Sequence, residues 1–357
     1  MNLLFMHQAQ AIYAPLRSSY LMEPGKVPPE VLESIVYANL GIKDSDVLLG
    51  PGLGEDAALI KIGDKVIVAA TDPITGSIED IGWLAVHVNA NDIATFGVAP
   101  RWFLASVMLP YGFTSDALET IMQQIDDAAK NLGIAVVGGH SEITERINQP
   151  IVTGFMIGLT NNNEYVTSHG AQPGDSLILT KCVGLEGTSI LASEGYSYLI
   201  QYLDDSILQE AMNLRHQISV VSEGVNAFQT GFVTAMHDPT EGGVSGGIHE
   251  LCDASNVGFE IEYERIPIAK STKRICEVLN INPLELISSG CMLISCIPDH
   301  SQDIIETLDS VGVESKVIGS LTNDKKHHKL SIEGSLVDLS RPKTDALWGA
   351  LKKINPS

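Results

Sequence analysis

The sequence predicts a two-domain α/β protein in which strands and helices are interleaved along both halves of the chain. Its 357 residues are enough for two domains of ordinary size. In each half, short β-type runs alternate with longer runs of helical periodicity, an order typical of mixed sheets covered by helices. A turn-rich segment, Ala171 to Asp175, separates the two halves. We therefore predict an extension at 1–25, domains at 26–168 and 169–345, and a tail at 346–357.

Local signals define the elements of the first half. The dipeptide Pro28-Pro29 is suited to opening a helix, which we expect to run to about residue 40 and to stop at Gly41. Gly63-Asp64 is a hairpin-type turn between two strand-like runs. We predict strands at 58–61, 66–71, 102–108, 134–137 and 151–158, and helices at 81–97 and 115–132.

The second half continues the same alternation of strands and helices. One strand runs into the glycine-containing segment His237–Gly243, and a helix to about Ala254 follows it. We predict strands at 176–181, 232–236, 258–263, 291–297 and 316–320, and helical segments at 186–194, 204–229 and 301–311.

The composition excludes several classes of function. The formal net charge is −22 and the sequence pI is about 4.7, so neither nucleic acid nor a membrane is an expected partner. We find no stretch of about 18 apolar residues that would span a membrane. The five cysteines show no CxxC spacing, and the chain begins without the pattern of an export signal. We therefore expect a cytoplasmic protein.

A carboxylate lies on the apolar stripe of the helix predicted at 81–97. At about 100° per residue, Ile81, Leu84, Ala85, Val88 and Asp92 fall on one face. A buried carboxylate is costly unless something pairs with it, and a cation is one candidate. Backbone donors or an arginine would satisfy Asp92 equally well, so the residue alone leaves both interpretations open.

Two further acids stand in settings that suit a metal–nucleotide site. Asp56 follows Gly52 and Gly54, whose flexible backbone can approach phosphates while nearby acids hold Mg²⁺. Asp72 ends a predicted strand, a frequent ligand position in α/β folds. Purely structural roles are the alternatives. The glycines could form a surface loop, and Asp72 could form an Asx turn before Pro73.

Two other segments place polar groups at the ends of strands. The run from Gly138 to Glu142 follows a short apolar strand, and we interpret it as a tight turn or, alternatively, as a solvated loop. In the segment His237–Gly243, Asp238 can cap a helix and Glu241 can complete a capping box, while the free N–H groups of the same helix end can bind phosphate. The candidate phosphate-binding residues at this helix end are Thr240, Gly242 and Gly243.

Taken together, these stretches resemble the aminoimidazole ribonucleotide (AIR) synthetase superfamily of PurM-like proteins, and within it the HypE-like archaeal proteins. The resemblance runs in order from about Gly25 to Leu339. It rests on four motifs: Gly54–Ala58, Thr71-Asp72, Asn91–Pro100 and His237–Gly243. None of these motifs is specific to the superfamily when it occurs alone, but the occurrence of all four in this order is specific to it.

The resemblance implies a PurM-like fold and a homodimer. The N-terminal domains of two protomers would pair their sheets into a shared β-barrel, and a mixed sheet with helices would form the C-terminal domain. ATP and Mg²⁺ would lie between the domains, with Asp56, Asp72 and Asp92 as metal ligands. Gly138, Gly139, Ser141 and Glu142, together with Asn91, would line the nucleotide site.

The chain departs from the HypE pattern at several positions. It ends without a reactive cysteine, has Ser288-Ser289-Gly290-Cys291 in place of Asn-Glu-Gly-Lys, and has Gly139–Glu142 in place of Gly-Asp-Thr-Lys. We therefore do not expect carbamoyl-to-cyanide dehydration on its own tail. Three residues are candidates for a catalytic role in this altered setting: His140, Asp238 and Cys291.

The leading hypothesis is a Mg²⁺-dependent, ATP-using enzyme of the HypE type. It would phosphorylate an oxygen or carbamoyl acceptor, supplied by a small molecule or a protein, in metallocentre (hydrogenase) maturation. One alternative is a small-molecule kinase like thiamine-monophosphate kinase. The other is a non-catalytic, ATP-responsive partner in metallocentre assembly.

Overall fold

The computed structural model describes residues 25–75 and 80–354. The predicted extension lies outside the described residues, apart from Gly25, and so do the last three residues of the predicted tail. Within the described part of the chain, no helix is long and apolar enough to cross a membrane.

The first half forms a six-stranded sheet with the strand order β1-β2-β3-β6-β4-β5. Neighbouring strands are antiparallel except β4 and β5, which are parallel. Two long helices cover one face of this sheet. The elements are α1 (Pro29–Val31), β1 (Val47–Leu49), β2 (Ala58–Ile62), β3 (Lys65–Thr75), α2 (Ile81–Ala94), β4 (Pro100–Pro110), α3 (Ser115–Leu132), β5 (Ala135–Thr144) and β6 (Ile151–Asn161).

Helix α3 begins and ends where its capping residues predict. The Thr114 hydroxyl accepts a hydrogen bond from the N–H of Ala117, and Gly133 adopts the left-handed conformation that ends many helices. The helix predicted from Pro28 is shorter than expected. After α1, a π-helical turn covers 32–36, and the helical conformation does not reach residue 40.

Helix α2 is buried on nearly all sides, between the sheet, α3 and the second half of the chain. Asp92 is 7% exposed, so its predicted burial is confirmed. The prediction of a single apolar stripe is wrong. Leu84, on the predicted stripe, is only half-buried, whereas Val86 and His87, on other faces, are buried. A helix enclosed by packing all round has no solvent side on which polar residues would collect.

The segment from Gly138 to Glu142 is not a turn. It lies within β5, which is the edge strand of the sheet and pairs with β4. Every residue from Ala135 to Ile143 is exposed. The strand continues past Val137 because β4 supplies backbone partners as far as Thr144.

The second half forms a seven-stranded sheet with the order β13-β12-β9-β11-β7-β10-β8. Its pairs are antiparallel except β12 and β9. The elements are β7 (Ser176–Thr180), α4 (Leu185–Glu194), α5 (Tyr196–Leu199), α6 (Asp205–Asn213), α7 (Val221–Gln229), β8 (Val233–His237), α8 (Gly243–Ser255), β9 (Gly258–Glu262), α9 (Lys270–Leu279), β10 (Leu293–Cys296), α10 (Ser301–Ser310), β11 (Ser315–Thr322), β12 (His328–Ile332), β13 (Ser335–Asp338) and α11 (Ala346–Ile354). The observed fold is therefore the predicted mixed α/β architecture with two sheets.

The capping box predicted at Asp238 does not form. Helix α8 begins at Gly243, and Gly242 precedes it in the left-handed conformation with φ 84°. Asp238 therefore lies in the turn between β8 and α8, four residues before the helix-capping position. This arrangement leaves its carboxylate available for contacts with the first domain.

Close backbone approaches join the two domains around α2 and α8. A Cβ on Gly54 would lie 2.8 Å from the carbonyl oxygen of Glu250, and a Cβ on Gly224 would lie 2.1 Å from that of Ala94. Only glycine fits at such contacts. The glycine-rich loop before β2 is thereby held against α8, and the C-terminal end of α2 against α7.

Candidate metal and nucleotide site

Four aspartates from both domains meet where these contacts bring α2 and α8 together. Asp56 follows the glycine-rich loop, Asp72 lies in β3, Asp92 in α2 and Asp238 after β8. Burial raises the pKa of Asp92 well above its usual value, and the charges of Asp72 and Asp238 raise it further. The pKa of Asp238 is raised in the same way by burial and by Asp56. Such mutual repulsion in a buried setting favours a bound cation.

The backbone at Asp72 is fixed by a buried asparagine. The side-chain oxygen of Asn89 accepts a hydrogen bond from the Asp72 N–H at 2.8 Å, and its nitrogen donates to the Asp72 carbonyl at 3.2 Å. On the neighbouring strand, a Cβ on Gly154 would lie only 2.3 Å from the Asn89 nitrogen. Glycine at 154 therefore makes room for the side chain that positions Asp72.

His237 connects the aspartates to helix α8. Its Nδ1 lies 3.1 Å from the carboxylate of Asp56, and its Nε2 lies 3.0 Å from the carboxylate of Glu250. Burial alone would lower the pKa of His237, but Asp56 and Glu250 together raise it well above its ordinary value. Against the effect of burial, Lys26 and His237 hold the pKa of Glu250 down at about 2.

Sequence patterns indicated Asp238 but gave no reason to select His237 or Glu250. Glu250 reaches the site because the α8 turn that carries it packs on Gly54, a contact that local periodicity does not report. The adjacent imidazole and carboxylate at the end of β8 were the available signal. Donor atoms of Asp56, His237 and Asp238 lie within 4.8 Å of one another, a spacing that can hold a metal ion.

Lys26 provides positive charge at the edge of this cluster, and the sequence analysis also missed it. Its backbone N–H donates to the Glu241 carboxylate at 2.9 Å, which fixes the chain at this point. Lys26 is an exposed residue, and the charges of Glu250, Asp56 and Asp238 raise the pKa of its ammonium group above its ordinary value. The ammonium group therefore remains charged beside the acids.

The residues before Asp56 have contacts that explain their identity. Gly54 has φ 76° and packs against Glu250, as described above. Glu55 turns away from the aspartates and accepts from His169 at 2.9 Å, while burial raises its pKa. Gly52 is half-buried in the same loop. The loop therefore brings Asp56 to the site, and phosphate binding by Gly52 and Gly54 stays a prediction.

Asn91 has a structural contact that the sequence did not suggest. Its side-chain oxygen accepts from the N–H of Val220, and its nitrogen donates to the carbonyl of Ile218, both at 2.8 Å. Both polar ends of the buried side chain are thus engaged with the second domain. The predicted contact of Asn91 with the nucleotide therefore stays a prediction.

The helix end at Gly242 already has an anionic partner. The Asp345 carboxylate accepts a hydrogen bond from the Gly242 N–H at 2.7 Å, and the Thr240 carbonyl accepts one from the Gly243 N–H at 3.0 Å. Burial raises the pKa of Asp345 to about 6. A role for Thr240, Gly242 and Gly243 in phosphate binding stays a prediction, and it would require Asp345 to move.

Cys291 and His140 do not join the aspartate cluster. Cys291 is buried in the core of the second domain, its thiol donates to the Ser288 carbonyl at 3.3 Å, and burial raises its pKa to about 12. A thiol that stays protonated is a poor nucleophile, so we do not propose Cys291 as catalytic. His140 is exposed on edge strand β5, with Nε2 3.3 Å from Glu142.

Two family models match the chain and divide it between them. The N-terminal domain of the AIR synthase related proteins matches residues 54–160, and their C-terminal domain matches residues 172–329. The chain belongs to the AIR synthase related family. The aspartates meet between these two matched regions, with Asp56, Asp72 and Asp92 in the first and Asp238 in the second.

Two relatives of this family member are named for hydrogenase expression or formation and for carbamoyl dehydration. It is 29% identical over 311 residues to a Methanocaldococcus jannaschii protein assigned to hydrogenase expression or formation, covering 85% of this chain and 90% of the relative. It is 25% identical over 313 residues to the carbamoyl dehydratase HypE of Rhizobium leguminosarum bv. viciae, covering 85% of both chains.

Solved structures share the fold of this AIR synthase related protein. A chain of the HypE–HypF complex matches with a TM-score of 0.73 at 21% identity, over 87% of this chain and 99% of the other. AaThiL complexed with AMPPCP and TMP matches with a TM-score of 0.68 at 19% identity, over 90% of this chain and 99% of the other. These likenesses confirm the predicted PurM-like two-domain fold.

Proposed function

We propose that this protein binds ATP with Mg²⁺ at the aspartate cluster and transfers a phosphoryl group to an oxygen or carbamoyl acceptor. The observation that carries the proposal is the convergence of Asp56, Asp72, Asp92 and Asp238 from two domains. Aspartates crowded together in a buried site destabilise one another unless cations neutralise them. A solved HypE in complex with ATP has the same fold, with a TM-score of 0.64 over 91% of this chain.

The roles of the residues follow from their positions. Asp56, Asp72 and Asp92 would hold the Mg²⁺ ions, which would neutralise charge developing on the transferred phosphoryl group. The Asp238 carboxylate and the Lys26 ammonium interact electrostatically with each other and with Asp56 and Asp72. Lys26 would attract and orient phosphate oxygens, and Asn89 would keep the backbone at Asp72 in place.

The acceptor belongs to metallocentre maturation in this proposal. The relatives are named for hydrogenase expression and formation and for carbamoyl dehydration, and one solved structure is a HypE–HypF complex. We therefore propose an acceptor presented by a partner protein in the cytoplasm.

A homodimer completes the proposal. In β6, even-numbered residues from Val152 to Gly158 are buried under the helices, whereas odd-numbered residues of the opposite face are half-buried or exposed, with Phe155 40% exposed. Beside them, β5 exposes Val137 and Ile143. An open apolar sheet face with a bare edge strand suits pairing with a second copy. His140, Ser141 and Glu142 would then lie at the subunit interface.

Calorimetric titration with MgATP tests the nucleotide site. We expect wild-type protein to bind and Asp92→Asn to bind at least tenfold more weakly, because one metal ligand loses its charge. Asp309→Asn, an exposed aspartate on α10, is the matched control and should bind like wild type. Equal affinity for wild type and Asp92→Asn would contradict the proposal.

A small-molecule kinase is the second candidate function, favoured by the shared fold of AaThiL over 90% of this chain. Release of ADP should then depend on a vitamin or nucleoside acceptor and need no partner protein. Release that requires a maturation partner would favour the leading proposal. ATP binding and partner capture without any turnover would instead indicate a non-catalytic assembly partner.

A further inference from the structure

One part of the aspartate cluster differs chemically from the rest. Asp72 and Asp92 offer only carboxylate oxygens, but Asp56 and Asp238 lie beside the imidazole of His237. One donor atom from each of Asp56, His237 and Asp238 falls within 4.8 Å of the others. These three residues, which we call the imidazole position, offer two oxygens and one nitrogen to a single ion.

The environment of His237 orients its ring for metal binding. Glu250 lies 3.0 Å from Nε2, so that this nitrogen donates its proton to a carboxylate on the far side of the ring. Nδ1 then points at Asp56, 3.1 Å away. Histidines that bind metals usually donate their other ring N–H to a carboxylate or carbonyl, which fixes both the tautomer and the orientation of the ring. His237 and Glu250 have this arrangement.

An independent observation at Asp238 indicates a missing partner. Asp238 is 2% exposed, and its Oδ2 is buried without a hydrogen-bond partner among the described residues. A buried carboxylate oxygen with no donor is expensive, since charged groups in an interior are paired or coordinate metals. The unpartnered oxygen belongs to the same residue that offers a donor atom to the imidazole position.

We propose that the imidazole position binds a divalent transition metal, with Mn²⁺, Co²⁺ and Zn²⁺ favoured over Mg²⁺. Mg²⁺ prefers oxygen ligands and retains much of its water, whereas imidazole suits transition metals. When the ion binds, the Nδ1 proton that otherwise faces Asp56 leaves to solvent. The inference refines the proposed function, because the ion would share Asp56 with the all-carboxylate position, but it can be tested without nucleotide.

Spectroscopy of the full-length wild-type protein with Mn²⁺ alone tests this directly. Electron spin-echo envelope modulation should show ¹⁴N coupling from one directly coordinated imidazole. Titration should show that Mn²⁺ binds at least about tenfold more tightly than Mg²⁺. Bound Mn²⁺ with oxygen ligands only would overturn the inference, and so would a failure to bind Mn²⁺ at millimolar concentration.

Variants separate coordination from folding. His237→Gln should abolish the ¹⁴N signal and weaken Mn²⁺ binding more than tenfold, with a much smaller effect on Mg²⁺. Glu250→Gln, which removes the charge behind the ring, should weaken Mn²⁺ binding about 10- to 100-fold. An unchanged ¹⁴N signal in His237→Gln would contradict the assignment even if both variants bind Mn²⁺ weakly.

A second histidine–glutamate pair provides the matched control. His327 Nε2 also lies 3.0 Å from a carboxylate, that of Glu260, but this pair lies at the β9–β12 side of the second sheet. His327→Gln and Glu260→Gln should leave both the ¹⁴N signal and the Mn²⁺ affinity unchanged. Binding of MgATP by a protein whose bound Mn²⁺ shows no ¹⁴N coupling would leave the proposed function intact while overturning this inference.

Discussion

Replacement of Asn91 by alanine tests how strongly the two domains are joined beside the site. The Asn91 side chain satisfies the N–H of Val220 and the carbonyl of Ile218, both at 2.8 Å, and Asn91 itself is fully buried. Alanine leaves both backbone groups without these partners. Because each unsatisfied buried group costs about 1–3 kcal/mol, we expect the free energy of unfolding to fall by about 2–6 kcal/mol.

Urea unfolding followed by tryptophan fluorescence measures this change, with the midpoint and slope compared between proteins. The matched control is Asn226→Ala, because Asn226 is only half-buried on α7 and donates an exposed hydrogen bond to the Ser222 carbonyl at the same 2.8 Å. We expect that control to stay within about 0.5 kcal/mol of wild type. A loss for Asn91→Ala no larger than that of the control would refute the assignment of Asn91 as a contact that stabilises the joining of the two domains.

Three further predictions concern charge and assembly. Because burial, Asp72 and Asp238 raise the pKa of Asp92 in the folded protein, ionised Asp92 destabilises the metal-free protein at neutral pH. Asp92→Asn should therefore unfold at a higher temperature than wild type in EDTA at pH 7, with the difference vanishing below about pH 4. An equal or lower unfolding temperature at pH 7 would contradict this. His87 is buried, and its folded pKa is lowered to about 4 by burial and then by Lys181, so wild-type stability should fall as pH drops from about 6.5 towards 4. His87→Gln should flatten that fall in calorimetric scans, and an unchanged slope would count against the effect. Phe155→Lys should convert a dimer into a monomer in light scattering, whereas Tyr202→Lys, at an exposed aromatic of the second domain, should leave the mass unchanged. A monomeric wild type would exclude the proposed dimer.

The fold was largely predictable where local chemistry decides it. Helix α3 occupies its predicted range of 115–132, and the predicted turn at Gly63-Asp64 joins β2 and β3. The turn prediction for the run from Gly138 to Glu142 failed, because β4 continues to offer hydrogen-bond partners beyond the point at which local glycine content predicts an end. Pairing with a neighbouring strand is a tertiary effect that local pattern does not contain.

The candidate site was predictable only in part. Asp92 was identified by a carboxylate among apolar neighbours, and its burial is confirmed. The sequence analysis did not identify His237, Glu250 or Lys26 as site residues. Each of them reaches the cluster through packing between segments that are far apart in sequence. The nucleotide contact of Asn91 stays a prediction, and its hydrogen-bond partners in the structure are backbone groups of the second domain, which no local pattern indicates.

The carboxylate of Asp345 already binds the free backbone N–H of Gly242 at the N-terminus of α8. A phosphate approaching the Gly242 N–H must compete with a carboxylate that the fold of the same chain already holds there. Asp345 also accepts from the N–H of Leu347 in the first turn of α11, so its departure would loosen the start of that helix. Anion affinity at this helix end and the docking of α11 are therefore thermodynamically linked, and each weakens the other by the same factor.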